Sequence, residues 1–334
     1  MSETEIVPIP LTPPITRRVR AYFAPVDRIA EIPAIFDPAQ NGGFNLDAPP
    51  APWLDLGWLD GFERASGTKI SPLRSGAPGF PLSQVRTEID AVVRVSFLNW
   101  GKLQMAVTAG SEQMNLLATA AGAGANGSGG TAAPAVPLLA GSTTTVLNVA
   151  ASALAGFSAG QMVAVDVDYA SQTGYVGSGV SGAYVSSASA VHSDVNFIRR
   201  VSFNVGRISG VTATGLQLAQ PLIAGAPTAE MSVQPILGFV DREGSNFFQE
   251  WSGLFVIPGE QGDRVLLHYP RLQIASSAAE TVKPMGTTPE NTTAALGRVA
   301  QVGEFRALPV TDLNDGVQVV CFRSYIPAAS TNLW

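Results

Sequence analysis

From Gln113 to Val165 the chain carries no charged residue, and the middle of that gap, 119–137 (TAAGAGANGSGGTAAPAVP), has no large side chain to anchor it. A hydropathy window would take such a gap for a membrane span. However, Asn148, Ser152, Gly156, Ser158 and Gly160, with Gly- and Thr-rich flanks, break every apolar run of the roughly 20 residues that a spanning helix needs. The small residues of 119–137 read instead as a flexible linker into a new module. Composition sets the extent of that module. Between Thr131 and Thr228 lie three acids (Asp166, Asp168, Asp194) and three arginines (Arg199, Arg200, Arg207), six charges in 98 residues against 40 in the remaining 236. The expected organisation is a discontinuous domain, 1–128 and 229–334, with a β-rich domain, 129–228, inserted into it.

Within the module, 142–149 (STTTVLNV) is rich in β-branched residues, and in 157–169 Val163, Val165 and Val167 alternate with Ala164, Asp166 and Asp168. That period of two is the signature of a strand. With further strand candidates at 203–208 and 215–222, short strands between Gly- and Ser-rich turns predict a small barrel or sandwich. In the flanking halves, Ile89, Ala91, Val93, Val95 and Phe97 alternate with Glu88, Asp90, Val92, Arg94 and Ser96, a strand with one face buried. Trp100, Leu103 and Val107 follow at helical spacing, Gly110 offers a stop, and Met114, Leu116 and Leu117 stand where they could extend the turn. The second half adds strands at 232–240, 250–257, 264–274, 304–310 and 316–326, a meander turning at 258–263 and 312–316. The predicted fold class is mainly β: an antiparallel sheet or barrel with one outer helix, plus an inserted small β-barrel or sandwich. One helix cannot cover so much sheet, so part of it is expected to face solvent, a lumen or neighbouring subunits.

Hydrophobic residues make up 46% of the 334, enough for substantial cores, while charged residues reach only 14%, well below the roughly 25% usual in soluble domains. A surface so poor in charge is expected to be covered, most simply by another copy of the same chain. The net charge of −6 argues against tight binding of nucleic-acid phosphates, which relies on clustered Lys and Arg. One cysteine, Cys321, excludes an intrachain disulfide. The first twenty residues mix Glu3 and Glu5 with prolines and with Arg17, Arg18 and Arg20 and hold no apolar core of signal-peptide length, so Sec export is not expected.

No catalytic residue, cofactor or metal site emerges, and the chain is expected not to be an enzyme. His192, His268 and Cys321 are too few for a Cys/His zinc site or a Cys–His–Asp arrangement. His268 lies beside Tyr269 in an alternating strand and reads as structural. GAGANG (122–127) satisfies G-x-G-x-x-G but lacks the preceding strand and following helix that would cradle a pyrophosphate, so it reads as linker. SGTK (66–69) has the S-x-x-K spacing, yet Gly67 and Thr68 are poor helix formers and Pro72 follows, so a hairpin turn is expected. Asp166 and Asp168 lack the further oxygen ligands a calcium site needs.

The run APPAPWLDLGWLDGFER (48–64), followed by SGTKISPLRSGAPG and then by VRTEIDAVVRVSFLNWGKLQMAVTAG (85–110), resembles the N-terminal part of tailed-bacteriophage tail-tube (major tail) proteins. The likeness covers 53–110 and, more loosely, 264–325, and the inserted module departs from the simplest members. It implies rings, usually hexameric, whose sheets join into a continuous barrel and which stack into a tube in the virion tail, assembled in the host cytoplasm. The implied partners are other copies of the chain, other tail proteins, the tape-measure protein and passing double-stranded DNA, with no membrane and no cofactor. A barrel continuous between subunits would satisfy sheet edges, and an acidic lumen would let DNA pass without sticking. The loop 61–79, with Arg64, Lys69 and Arg74 against Glu63 alone, is expected to reach the next ring and pair there with acids such as Asp241, Glu243, Glu260 or Asp263. Two other readings stay open. One is the inner tube, terminator or baseplate subunit of a phage-like injection machine. The other is a carbohydrate-binding or adhesin module with Trp53, Trp58, Trp100, Trp251 and Trp334 as its platform.

Overall fold

The computed structural model describes residues 18–26, 31–110, 112–118, 133–166, 204–223, 225–242, 249–260, 262–275, 279–283 and 298–328. The first elements are strand β1 (Val19–Pro25), the short helix α1 (Pro38–Asn41), β2 (Leu54–Ser75), β3 (Phe80–Phe97) and helix α2 (Lys102–Ala109). Next come β4 (Glu112–Leu117), β5 (Val136–Pro137), β6 (Val146–Asn148), β7 (Met162–Asp166), β8 (Val205–Val211), β9 (Gly215–Leu218) and β10 (Ser232–Arg242). The chain ends with β11 (Trp251–Pro258), β12 (Arg264–Ile274), β13 (Ala279–Lys283), β14 (Arg298–Leu308), β15 (Val310–Thr311), β16 (Gln318–Val319) and β17 (Phe322–Ile326). The protein is mainly β, as its periodicity predicts.

Two compact units result. The first gathers the described residues of 1–24, 33–99 and 251–334, and the second those of 25–32 and 100–250. The second unit is larger than the segment 129–228 that composition marks out, because β10 pairs with β4, β5 and β7. Ladder hydrogen bonds, which a charge count cannot detect, thus draw residues on both sides of the low-charge segment into this unit. Helix α2 also belongs to it.

In the first unit the antiparallel order is β13-β14-β3-β2-β1-β11-β12-β17, and β14 also pairs with β12, so β14, β3, β2, β1, β11 and β12 close into a ring. Aromatic side chains fill its interior. Phe23 lies 5.7 Å from Phe255, 5.6 Å from Phe305 and 6.3 Å from Trp251, ring centre to ring centre. On the opposite face of β1 and β11, Tyr22, Ala24, Leu254 and Val256 pack with Leu266 of β12 against Phe36 and Trp53 of the segment 33–53, which forms an outer strap. Both faces of β1 and β11 are therefore covered, which is why AYFA and LFVI read as continuous apolar runs and not as alternations.

Arg20 fastens that strap. It is 8% exposed, donates from Nη1 to Asp47 at 2.7 Å and from Nε to Asp55 at 3.1 Å, and lies over the Trp58 ring at 5.2 Å. Asp55 also accepts the Gly57 N–H at 2.8 Å. There the β1–β2 register shifts, between Ala21 and Tyr22, and Gly57 takes φ +84°, where a Cβ would lie 2.6 Å from Asn99 Nδ2. The WLDLG motif thus encodes a core tryptophan, an arginine partner and a bulge glycine.

The second unit has the order β4-β10-β7-β8-β9-β6, with β5 on β10. A bridge between Leu138 and Val149 brings its far end back to β5, so of the barrel or sandwich expected from the short strands, the sheet takes the form of a small barrel. Leu147, Val163, Val165, Ile208, Leu216 and Val233 are central to its core. Helix α2 stops at Gly110, in the left-handed region at φ +61°, as expected. Its buried side is Gln104, Ala106, Val107 and Thr108, while Trp100 is 49% exposed. Thr108 tolerates that position because its hydroxyl donates to Gln104 O at 2.9 Å. Residues 112–117 form β4 and do not extend the helix, since they find a strand partner in β10.

Phe305 is fully buried at the ring's centre. Phe305→Ala is expected to cost about 3–5 kcal/mol, read as a lower urea midpoint for unfolding of the first unit.

Candidate functional site

Strands β2 and β3 run on past the ring as a two-stranded arm. Their pairing continues from Leu59↔Phe97 through Lys69↔Glu88 to Ser75↔Phe80, and every residue from Ala65 to Asp90 is exposed. From Ser66 to Ser75 the arm spans roughly 30 Å, at about 3.3 Å per strand residue. The segment 61–79 is therefore not the loop that its glycines and Pro72 predict. Gly67 pairs with Asp90 and Pro72 with Gln84, and only 76–79 turns. The ribbon tolerates both residues because, among the described residues, no third strand calls for the N–H that Pro72 lacks or for a side chain at Gly67. Beyond Leu59 on β2, and between Val92 and the tip on β3, no further strand pairs with either edge among the described residues.

The three cations singled out by sequence lie far apart along this arm. Arg64, at its base, donates from Nε to the buried Tyr269 hydroxyl at 2.8 Å. Lys69, halfway along, pairs with Glu88. Arg74, near the tip, donates to Gly79 O at 3.2 Å. Arg64 is thus an anchor between arm and ring. Of the acids proposed to meet them, Asp263 is buried in its own turn, Glu243 lies outside the described residues, and Asp241 falls on β10 of the second unit. The larger signal on the arm is apolar, with Ile70, Leu73, Phe80, Leu82, Val85 and Ile89 each 44–73% exposed. Sequence reasoning missed Ile70 and Leu73 because 61–79 was taken for a loop, and it placed Ile89 on the buried face of the strand 88–97, where it is instead 46% exposed.

At the arm's base, Glu63, Arg94 and Glu304 line up across β2, β3 and β14. With Ala65 and Val92 they border a shallow cavity of about 230 Å³. Arg94 pairs with Glu304, and Arg306 with Asp90 at 3.2 Å.

His268 is a core residue. It is 3% exposed, its Nε2 accepts the Phe36 N–H at 3.4 Å, and its Nδ1 faces Gly253 O at 3.3 Å. Trp53 meets it edge-on and Phe322 stacks on it. Burial lowers its pKa to about 4. Burial likewise pushes the Tyr269 hydroxyl up to about 12 and raises the Cys321 thiol. Ser66 and Lys69 pair with Ala91 and Glu88 on opposite faces of the ribbon, so the lysine cannot serve the serine. Trp53 and Trp251 are buried at 5% and 1% exposure and Trp58 lies under Arg20, so these three form no open platform. His192, Asp168, Trp334 and 122–127 lie outside the described residues.

No family model matches the chain, and no curated protein matches it. The likeness to tail-tube proteins rests on the quoted residues alone.

Arg64→Ala should destabilise the first unit by about 1.5–3 kcal/mol, the range for a hydrogen bond that involves a charged group. Lys69→Ala, which removes an exposed pair, should cost less than about 1 kcal/mol. Denaturant titrations of both variants would check the contrast. His268 adds a pH dependence. Because its folded pKa lies below the unfolded value of roughly 6.5, its contribution is complete above pH ~6.5, falls as the pH drops and levels off near the folded value. Between pH 7 and pH 4 the wild type should lose on the order of 3 kcal/mol more stability than His268→Gln.

Proposed function

We propose that this chain is a structural, non-enzymatic virion protein that assembles with its own copies into stacked rings, forming a tail tube through which DNA passes. The observation that carries this reading is the arm. An isolated two-stranded hairpin is marginal in water, yet this one extends from the ring with apolar residues on both faces and, within the described chain, two open edges. Natural sheets rarely leave such edges uncovered, and the cover always at hand is another copy. The low charge content and net charge of −6 support extensive subunit contacts and a lumen that repels phosphates. Within this proposal, contacts of the arm with the next ring draw on its apolar residues more than on Arg64, Lys69 and Arg74, since surface ion pairs contribute little singly.

Replacing 68–89 by Asn-Gly joins Gly67 to Asp90, which already face each other, through a tight hairpin turn. The shortened protein should keep the wild-type circular dichroism spectrum and stay monomeric in light scattering and electron microscopy at concentrations where the wild type forms rings or tubes. Assembly of the shortened protein at the wild-type threshold would sink the proposal.

A further inference from the structure

Two exposed patches of the first unit complement each other. The outer part of the arm, 70–87, contains Arg74 and Arg86 and no acid. Register places Ile70 opposite Arg86, Pro72 opposite Gln84 and Arg74 opposite Pro81. Residues 70, 72 and 74 share one face of β2, so that face carries an apolar strip of Ile70, Pro72 and Pro81 with an arginine toward each end. The second patch is the turn between β15 and β16. It contains Asp312 and Asp315 and no base, and it presents Leu313 at 97% exposure and Val317 at 54%.

The turn is held firmly. Asp312 Oδ1 accepts from the Asn314 N–H and Nδ2, both at 2.9 Å, and Asp315 Oδ1 accepts the Val317 N–H at 2.9 Å. The backbone closes it through Asp312 N–H to Val317 O at 2.8 Å and Gly316 N–H to Asp312 O at 2.7 Å. Leu313 is therefore presented in a fixed position, and docking it would cost little ordering entropy. Each carboxylate uses Oδ1 within the turn, leaving Oδ2 to accept from a guanidinium.

We infer that the turn 312–317 is the receptor for the arm of a second copy: Leu313 packs on the strip of Ile70, Pro72 and Pro81, and Asp312 and Asp315 meet Arg74 and Arg86. Both patches are exposed within one protomer, so the contact is intermolecular. Because the two surfaces differ, it is heterologous and propagates from copy to copy. This inference rests on the arm-mediated assembly proposed above and names its counterpart.

Leu313→Lys alters a side chain that is 97% exposed among the described residues, so its fold should be unchanged by circular dichroism. Its assembly threshold in light scattering should rise at least tenfold. In a Cys321→Ser background, Ile70→Cys and Leu313→Cys proteins, mixed and treated with a short bismaleimide, should give a cross-linked dimer containing one copy of each. Assembly of Leu313→Lys at the wild-type threshold, or an assembled mixture that yields no such dimer, overturns the inference. If the shortened arm abolishes assembly while Leu313→Lys does not, this receptor is wrong and the role of the arm stands. A wild type that stays monomeric at every concentration overturns both.

Discussion

Pairing of β12 with β14, Arg271↔Leu308 through Ile274↔Phe305, turns the first unit's sheet into a ring, and the rest of that unit follows from the closure. A closed sheet has an inside, and Phe23, Phe255, Phe305 and Trp251 fill it. Closure also gives each ring strand a neighbour on both sides, so its backbone groups need no partner from outside. The arm is where that solution stops. Once β2 and β3 outrun β1 and β14, their outer edges have no neighbour within the described chain, and the hydrogen-bonding demand is passed outward.

The polar groups of the outer layer are matched to one another. Arg20 links the strap to the bulge through Asp47 and Asp55, the Tyr22 hydroxyl donates to Leu46 O at 2.8 Å, and His268 takes its proton donor from the Phe36 backbone. Each of these side chains is committed to holding the strap on the ring. Burial raises the pKa of the Tyr22 hydroxyl and lowers that of His268, while against the effect of burial Asp55 and Asp47 raise that of the Arg20 guanidinium; structural networks perturb pKa values as readily as catalytic sites do.

On the arm and the turn 312–317 the balance is reversed. Apolar side chains stand in solvent, and the charges within 70–87 and within 312–317 are each of one sign. Such surfaces gain little in an isolated chain and much on contact with a complementary one. The assembly proposed above would supply such a surface.

Much of the secondary structure was legible in the chain itself. The alternation over 88–97 marks the last half of β3, and the run 264–274 coincides with β12. Gly110 ends α2, and alternating valines give β7 its buried face. These are local signals, set by the period of side chains along one strand or helix and by the backbone freedom of glycine. The tertiary structure alone decided the pairings. Nothing local to Gly67 or Pro72 says that they lie in a ribbon, because whether a breaker is tolerated depends on whether a third strand needs its N–H. The charge-poor module likewise extends to β4 and β10, since partners in a sheet are chosen by register across space. The candidate surface also escaped a sequence reading, for the apolar residues of the arm stand on both faces of the ribbon without a period of two, and only the absence of a covering layer within the described chain leaves them in solvent.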